Sequence, residues 1–86
     1  MRIVTTKKFD AQYRKQPKKI ITAFNEQIEL FLEEPRHPIL HVHVLSGKYQ
    51  GLWSFNVTGD VRVVFDTSQT SVCILVAIGT HSQLYR

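Results

Sequence analysis

The apolar residues of this chain change their spacing halfway along, and that change limits the fold to a few architectures. Ile20, Ile21, Phe24, Ile28, Phe31 and Leu32 recur at the three- and four-residue intervals of one helix face. From Leu52 onward the pattern is different. Three short segments, 52–57, 61–65 and 72–78, are rich in Val, Ile and Phe and predict strands. Thr58-Gly59-Asp60 and Thr67-Ser68-Gln69-Thr70 lie between them and have the composition of tight turns, which gives an antiparallel meander.

The residues before the long helix fit the same plan. Arg2-Ile3-Val4-Thr5 reads as a short strand. Thr6 is placed to cap a first helix that carries Phe9 and Tyr13 four apart on one face. Pro17 suits the first turn of the second helix, and Pro35 and Pro38 end it. Phe9, Tyr13, Phe24 and Phe31 are read as core. The predicted fold is α+β: two N-terminal helices packed on one face of a small, mostly antiparallel four-stranded sheet. The 86 residues make one domain, 1–86. The opposite sheet face is predicted to be open. Alternation along the strands puts Ser54, Asn56 and Arg62 on it. An arginine within a valine run needs solvent, an anion, or a salt bridge to Asp60 or Asp66.

Charge is segregated. Residues 1–19 carry Arg2, Lys7, Lys8, Arg14, Lys15, Lys18 and Lys19 against a single acid, Asp10. Residues 20–34 carry four glutamates and no base. The basic segment reads either as a phosphate-facing surface or as a solvated helix face. The lone Cys73 cannot form an internal disulfide, and its apolar setting predicts a buried, reduced thiol. No apolar run is long enough to span a bilayer, and Met1-Arg2-Ile3-Val4 lacks the apolar core of a signal peptide. A cytoplasmic location is expected.

Phosphate loops, nucleophile elbows and dinucleotide fingerprints are absent from the sequence. His41-Val42-His43 could suggest a metal, but no cysteine or acidic cluster completes a ligand set, so no metal or cofactor is expected. What remains is His43, Asp60, Arg62, His81 and Tyr85, on or beside one sheet. Such a set suits acid–base cleavage of RNA. A base takes the 2′-hydroxyl proton, an acid protonates the leaving 5′-oxygen, and a cation offsets the charge that builds on phosphorus. Tyr85 and Trp53 are candidates to stack on a base. Ordinary surface roles for all four histidines remain open on this reading.

Several segments carry a family resemblance. His43-Val44-Leu45-Ser46-Gly47 resembles a His-Pro-Leu-Lys-Gly segment, and Gly51-Leu52-Trp53 the start of the strand that follows it. Asp60-Val61-Arg62-Val63-Val64-Phe65 resembles a strand bearing Asp and Arg that ends in an aromatic residue. Gly79-Thr80-His81-Ser82-Gln83-Leu84-Tyr85 is similar to the ending Gly-Ser/Thr-His-Ser-Asp-Leu-Phe. These segments resemble the RelE/ParE superfamily of bacterial type II toxins, most closely its YafQ-like mRNA interferases.

The resemblance implies a RelE-like fold and a toxin that cuts mRNA on the ribosome without a metal. It implies a catalytic set of His43, Asp60 and His81, with Arg62 on the scissile phosphate and Tyr85 positioning the nucleotide. Lys7, Lys8, Lys15, Lys18, Lys19, Lys48, Trp53 and Asn56 would contact RNA. The partners implied are a cognate antitoxin, the ribosome and mRNA. Asn56 stands where the YafQ-like pattern has a histidine, and Val61 where it often has tryptophan. Losing that histidine removes one candidate for proton transfer, and Arg62 cannot replace it as a base. Two alternatives share the fold: a ParE-like toxin that binds DNA gyrase without cutting, and an inactive, degenerate member.

Overall fold

A computed structural model describes residues 1–85 of the chain. The elements in order are β1 (Arg2–Thr5), α1 (Lys7–Arg14), α2 (Lys18–Glu33), β2 (His43–Val44), β3 (Trp53–Asn56), β4 (Val61–Asp66), β5 (Val72–Thr80) and α3 (His81–Leu84). Short 3₁₀ turns at Pro38–Leu40 and Gly47–Tyr49 flank β2. The fold is α+β, as expected, but two details differ from the sequence reading. The sheet has five strands in the order β1-β5-β4-β3-β2, because His43–Val44 adds a two-residue edge strand. A third helix follows β5. β1 runs parallel to β5 and every other pair is antiparallel. Among the described residues no helix is long and apolar enough to cross a membrane.

Local chemistry explains the helix starts. Thr6 Oγ1 accepts from the Phe9 amide at 3.0 Å, satisfying a first-turn donor. Pro17 precedes α2 in extended conformation, and α2 ends at Glu33, ahead of Pro35. β5 is longer than β1 and would leave backbone groups bare beyond Leu75. The start of α1 covers them. Thr6 Oγ1 donates to the Val76 carbonyl at 2.9 Å, and the Ile78 amide donates to Gln12 Oε1 at 2.9 Å.

The main core lies between the helices and one sheet face. Phe9, Phe24 and Phe31 pack there with Phe55, Val63, Phe65, Leu75 and Ile78. Phe31 is the centre, with ring centroids 5.0 Å from Phe55 and 4.9 Å from Phe65. The register of β4 on β5 explains how Leu75 and Ile78, three apart, face the same core. Val64 pairs with Ala77 and Phe65 with Leu75, so Val76 sits in a bulge that reverses the alternation.

The second face is not wholly open. Tyr49, Val64, Ala77 and Leu84 form a smaller core there, flanked by Leu45, Leu52 and Val76. Ser54 is therefore on the predicted face but only 1 % exposed. The cause is the turn at Gly79-Thr80, which folds α3 back over β5. Thr80 Oγ1 accepts from the Gln83 amide, and Gln83 Oε1 accepts from the Thr80 amide, closing a capping box.

A Cβ on Gly79 would lie 2.9 Å from Gln83 Oε1 and 3.2 Å from Gln83 Cβ. Gly79→Ala is therefore expected to break the capping box and cost about 1 kcal/mol. Thermal unfolding would read this as a fall in Tm of about 4–8 °C; an unchanged Tm would mean that α3 is not held by this turn. A second prediction concerns pH. Burial, with Asp66 adding to it, raises the Cys73 thiol from its ordinary 9.0 to about 11. A raised thiol keeps its proton in the folded state, so its contribution is complete below pH 9 and is lost between pH 9 and 11. Chemical denaturation of wild type should fall by up to ~3 kcal/mol more across that window than Cys73→Ala does.

Candidate active site

The site is built on the sheet face away from α2, beside the smaller core. His43, Leu45, Ser54, Arg62, Val64, His81, Leu84 and Tyr85 line a pocket of about 140 Å³. Four of the five residues expected to be catalytic thus meet: His43 from β2, Arg62 from β4, and His81 and Tyr85 from α3.

His43 is held through both ring nitrogens. Nδ1 lies 2.7 Å from the His41 carbonyl oxygen. A carbonyl can only accept, so Nδ1 carries the proton. In the neutral ring Nε2 is then a free acceptor, and it lies 3.5 Å from Ser54 Oγ. This follows from register, since His43 pairs directly with Ser54 across β2 and β3. Arg62 is half-buried in β4, opposite Asn56. Its Nε and the Asn56 Oδ1 are both buried without a hydrogen-bond partner. Among the described residues no salt bridge ties Arg62 to Asp60 or Asp66.

His81 opens α3 and is exposed, with its ring stacked on Tyr85 at 4.7 Å and 28°. Tyr85 in turn makes a T-shaped contact with Tyr49, centroids 5.4 Å apart. Leu84 fixes this group. Its side chain is 2 % exposed, and its carbonyl accepts from Tyr49 Oη and Lys48 Nζ, each at 3.0 Å. Lys8 reaches the same point from α1, with Nζ 3.3 Å from Tyr49 Oη.

The other expected residues are placed elsewhere. Asp60 is exposed in the β3–β4 turn and does not line the pocket. Val61 pairs with Thr80, the last residue of β5, so Asp60 lies just before the paired part of β4. Trp53 lies on the helix side, in a separate cavity with Met1, Phe31, Pro35 and Arg36, and the Arg36 guanidinium sits 5.8 Å from its ring. Asn56 lines another cavity with Gln27 and His41. Lys7, Lys8, Lys15, Lys18, Lys19 and Lys48 are all exposed. Lys15 lines a cavity with Gln83 of α3, which brings part of the basic segment beside the site.

His41 does not share a strand face with His43. It adopts a left-handed conformation, φ 49° and ψ 46°, at the end of the Pro38–Leu40 turn. Among the described residues no group of three or more His, Cys, Asp or Glu is arranged to hold a metal ion. Sequence reasoning missed three participants: Ser54 as a partner of His43, the His41 carbonyl, and Tyr49. Only Tyr49 left a signal, an aromatic residue directly after Gly47-Lys48 in a segment otherwise assigned to the site.

Comparison with known proteins agrees with this architecture. The family model for YafQ, the bacterial toxin of a type II toxin–antitoxin system, matches residues 1–86. A search of curated proteins finds no match. YafQ from E. coli strain BL21(DE3) superposes with a TM-score of 0.83 at 15 % identity, covering 100 % of both chains. The YoeB/ParE toxin from Agrobacterium tumefaciens superposes at 0.76 with 20 % identity, over 94 % of this chain and 99 % of that one. The E. coli DinJ–YafQ complex also matches, at 0.69 and 17 % identity over 100 % of both chains. With its whole length matched by that model and its fold shared with these toxins, this chain belongs to the YafQ family of type II toxin–antitoxin toxins.

Proposed function

We propose that this toxin is a metal-independent endoribonuclease that cuts mRNA on the ribosome by attack of a ribose 2′-hydroxyl on the adjacent phosphate. The observation that carries the reading is the meeting of His43, Arg62, His81 and Tyr85 around one pocket, with His43 Nε2 next to the pocket-lining Ser54 hydroxyl. The nucleophile belongs to the substrate, so no activated Ser or Cys is needed. His43 Nε2 accepts the 2′-hydroxyl proton. The Arg62 guanidinium balances the charge that builds on the phosphorane. His81, as imidazolium, gives its proton to the departing 5′-oxygen. Tyr85 holds the His81 ring by stacking, and the two rings together form an aromatic surface for a nucleobase. Asp60, the residue before Val61, which pairs with Thr80 next to His81 in the chain, is the carboxylate that orients His81 when RNA is bound.

Lys7, Lys8, Lys15, Lys18, Lys19 and Lys48 contact ribosomal RNA in this reading, and the glutamates of α2 face away from it. An antitoxin protein is the expected partner, as DinJ is of E. coli YafQ. Binding to ribosomes should weaken steeply with salt, by up to about one unit of logarithmic slope for each lysine that meets a phosphate.

Primer extension on an mRNA in a purified translating system tests the reading. Wild type should give discrete cuts within the codon in the ribosomal A site. His81→Ala should lose them by about 10²-fold or more, and Arg62→Ala should lose them by a similar factor. Intact mRNA with wild type, alongside growth arrest in cells, would sink the nuclease reading and turn attention to DNA gyrase. Intact mRNA without arrest would identify an inactive member of the family.

A further inference from the structure

We infer that the backbone of His41, not its imidazole, is the positioning device that makes His43 a base. The inference rests on the function proposed above and deepens it. Leu40 is fully buried and anchors the Pro38–Leu40 turn in the main core. The His37 ring accepts from the Ile39 amide at 3.2 Å and closes the turn from the other side. His41 follows in the left-handed region, which is uncommon outside glycine and which asparagine, aspartate and histidine enter more readily than β-branched residues. This conformation aims its carbonyl at His43 Nδ1, 2.7 Å away. The His41 imidazole is exposed and lines cavities outside the site.

The consequence is chemical. Which ring nitrogen carries the proton is set by the hydrogen bond the other makes. A carbonyl on Nδ1 leaves Nε2 bare. Ser54 faces that bare nitrogen from within the sheet, and its hydroxyl, 3.5 Å away, can donate to it. Two fixed partners therefore give the ring one orientation and one tautomer. A reacting 2′-hydroxyl would take the place of the Ser54 hydrogen bond. His41 and Ser54 are positioning residues, since they act on the substrate through His43.

The test is ¹⁵N NMR of the histidine rings in the full-length toxin at a pH where they are neutral, with His43 assigned from His43→Gln. The protonated and bare nitrogens of a neutral ring resonate far apart, so the tautomer is read without RNA or ribosomes. Wild type should show His43 protonated on Nδ1. His41→Gly and His41→Asn tolerate the left-handed backbone and should keep that tautomer. His41→Val, whose branched side chain disfavours it, should shift His43 towards the Nε2-protonated form and lower cleavage roughly tenfold or more. A wild-type His43 protonated on Nε2 would overturn the inference. So would an unchanged tautomer in a folded His41→Val protein, or loss of the tautomer in His41→Gly. If His41→Val does not fold, wild type, His41→Gly and His41→Asn decide. Because the tautomer is observed without substrate, a correct tautomer in a toxin that cuts nothing would count against the nuclease reading and not against the positioning role.

Discussion

Leu84 is the contact on which the site depends. Its side chain packs with Tyr49, Val64 and Ala77, and its carbonyl gathers hydrogen bonds from Tyr49 and Lys48. α3 is only four residues long, far too short to persist alone. Burial of Leu84 and the capping box at Thr80 hold it. Both residues of α3 and its C-cap that face the pocket, His81 and Tyr85, inherit their positions from that anchor. The Gly47–Tyr49 turn is tied to the same carbonyl, so the β2–β3 connection and the C-terminal segment form one unit. A truncation of Leu84 would act on the pocket before it touched the main core.

The sheet serves this arrangement by a change of parity. Strict alternation along β5 would send Leu75 and Ile78 to opposite faces. The bulge at Val76 lets both enter the main core while Ala77 turns to the second face, where a small residue leaves room for Leu84. Capping of the outer edge of β5 by Thr6 and Gln12 lets that strand run on past β1 to reach Gly79 and Thr80. The helix side thus supplies stability, and the far side is free to carry polar groups.

The long elements were legible in the sequence because their signals are long. Six apolar residues at helical spacing define α2, and short runs of Val, Ile, Leu and aromatic residues define β3 to β5. β2 and α3 were not, since two and four residues carry no period. Strand alternation and the scatter of proton-handling residues pointed to His43, Arg62, His81 and Tyr85 beside one sheet, and the family resemblance gave them roles. The partners of His43 were out of reach. Ser54 meets it through a register set by the intervening loop, and the left-handed state of His41 has no glycine to announce it. Trp53 was placed with RNA contacts on the strength of its ring, yet its parity on β3 turns it to the helix side with Phe31. Asp60 sits in the turn that its own Thr58-Gly59 neighbours define, where Thr58 Oγ1 accepts from the Asp60 and Val61 amides.

The choice of a carbonyl as the partner of His43 fits the charge of the site. A carboxylate in that place would orient the ring equally well, and would stabilise its protonated form more strongly. Under the proposed function it would also put a negative charge beside a phosphodiester. Among the described residues no Asp or Glu lines the pocket, while Arg62 and two imidazoles do. A neutral acceptor would fix the proposed tautomer without opposing the approach of the proposed polyanionic substrate. The lysines of α1 and the loop after β2 extend the same sign of charge past the pocket rim, with Lys8 and Lys48 converging at Tyr49 and Leu84. In the proposed reaction, orientation of the base and attraction of the substrate thus fall to different groups: backbone for the first, side chains for the second.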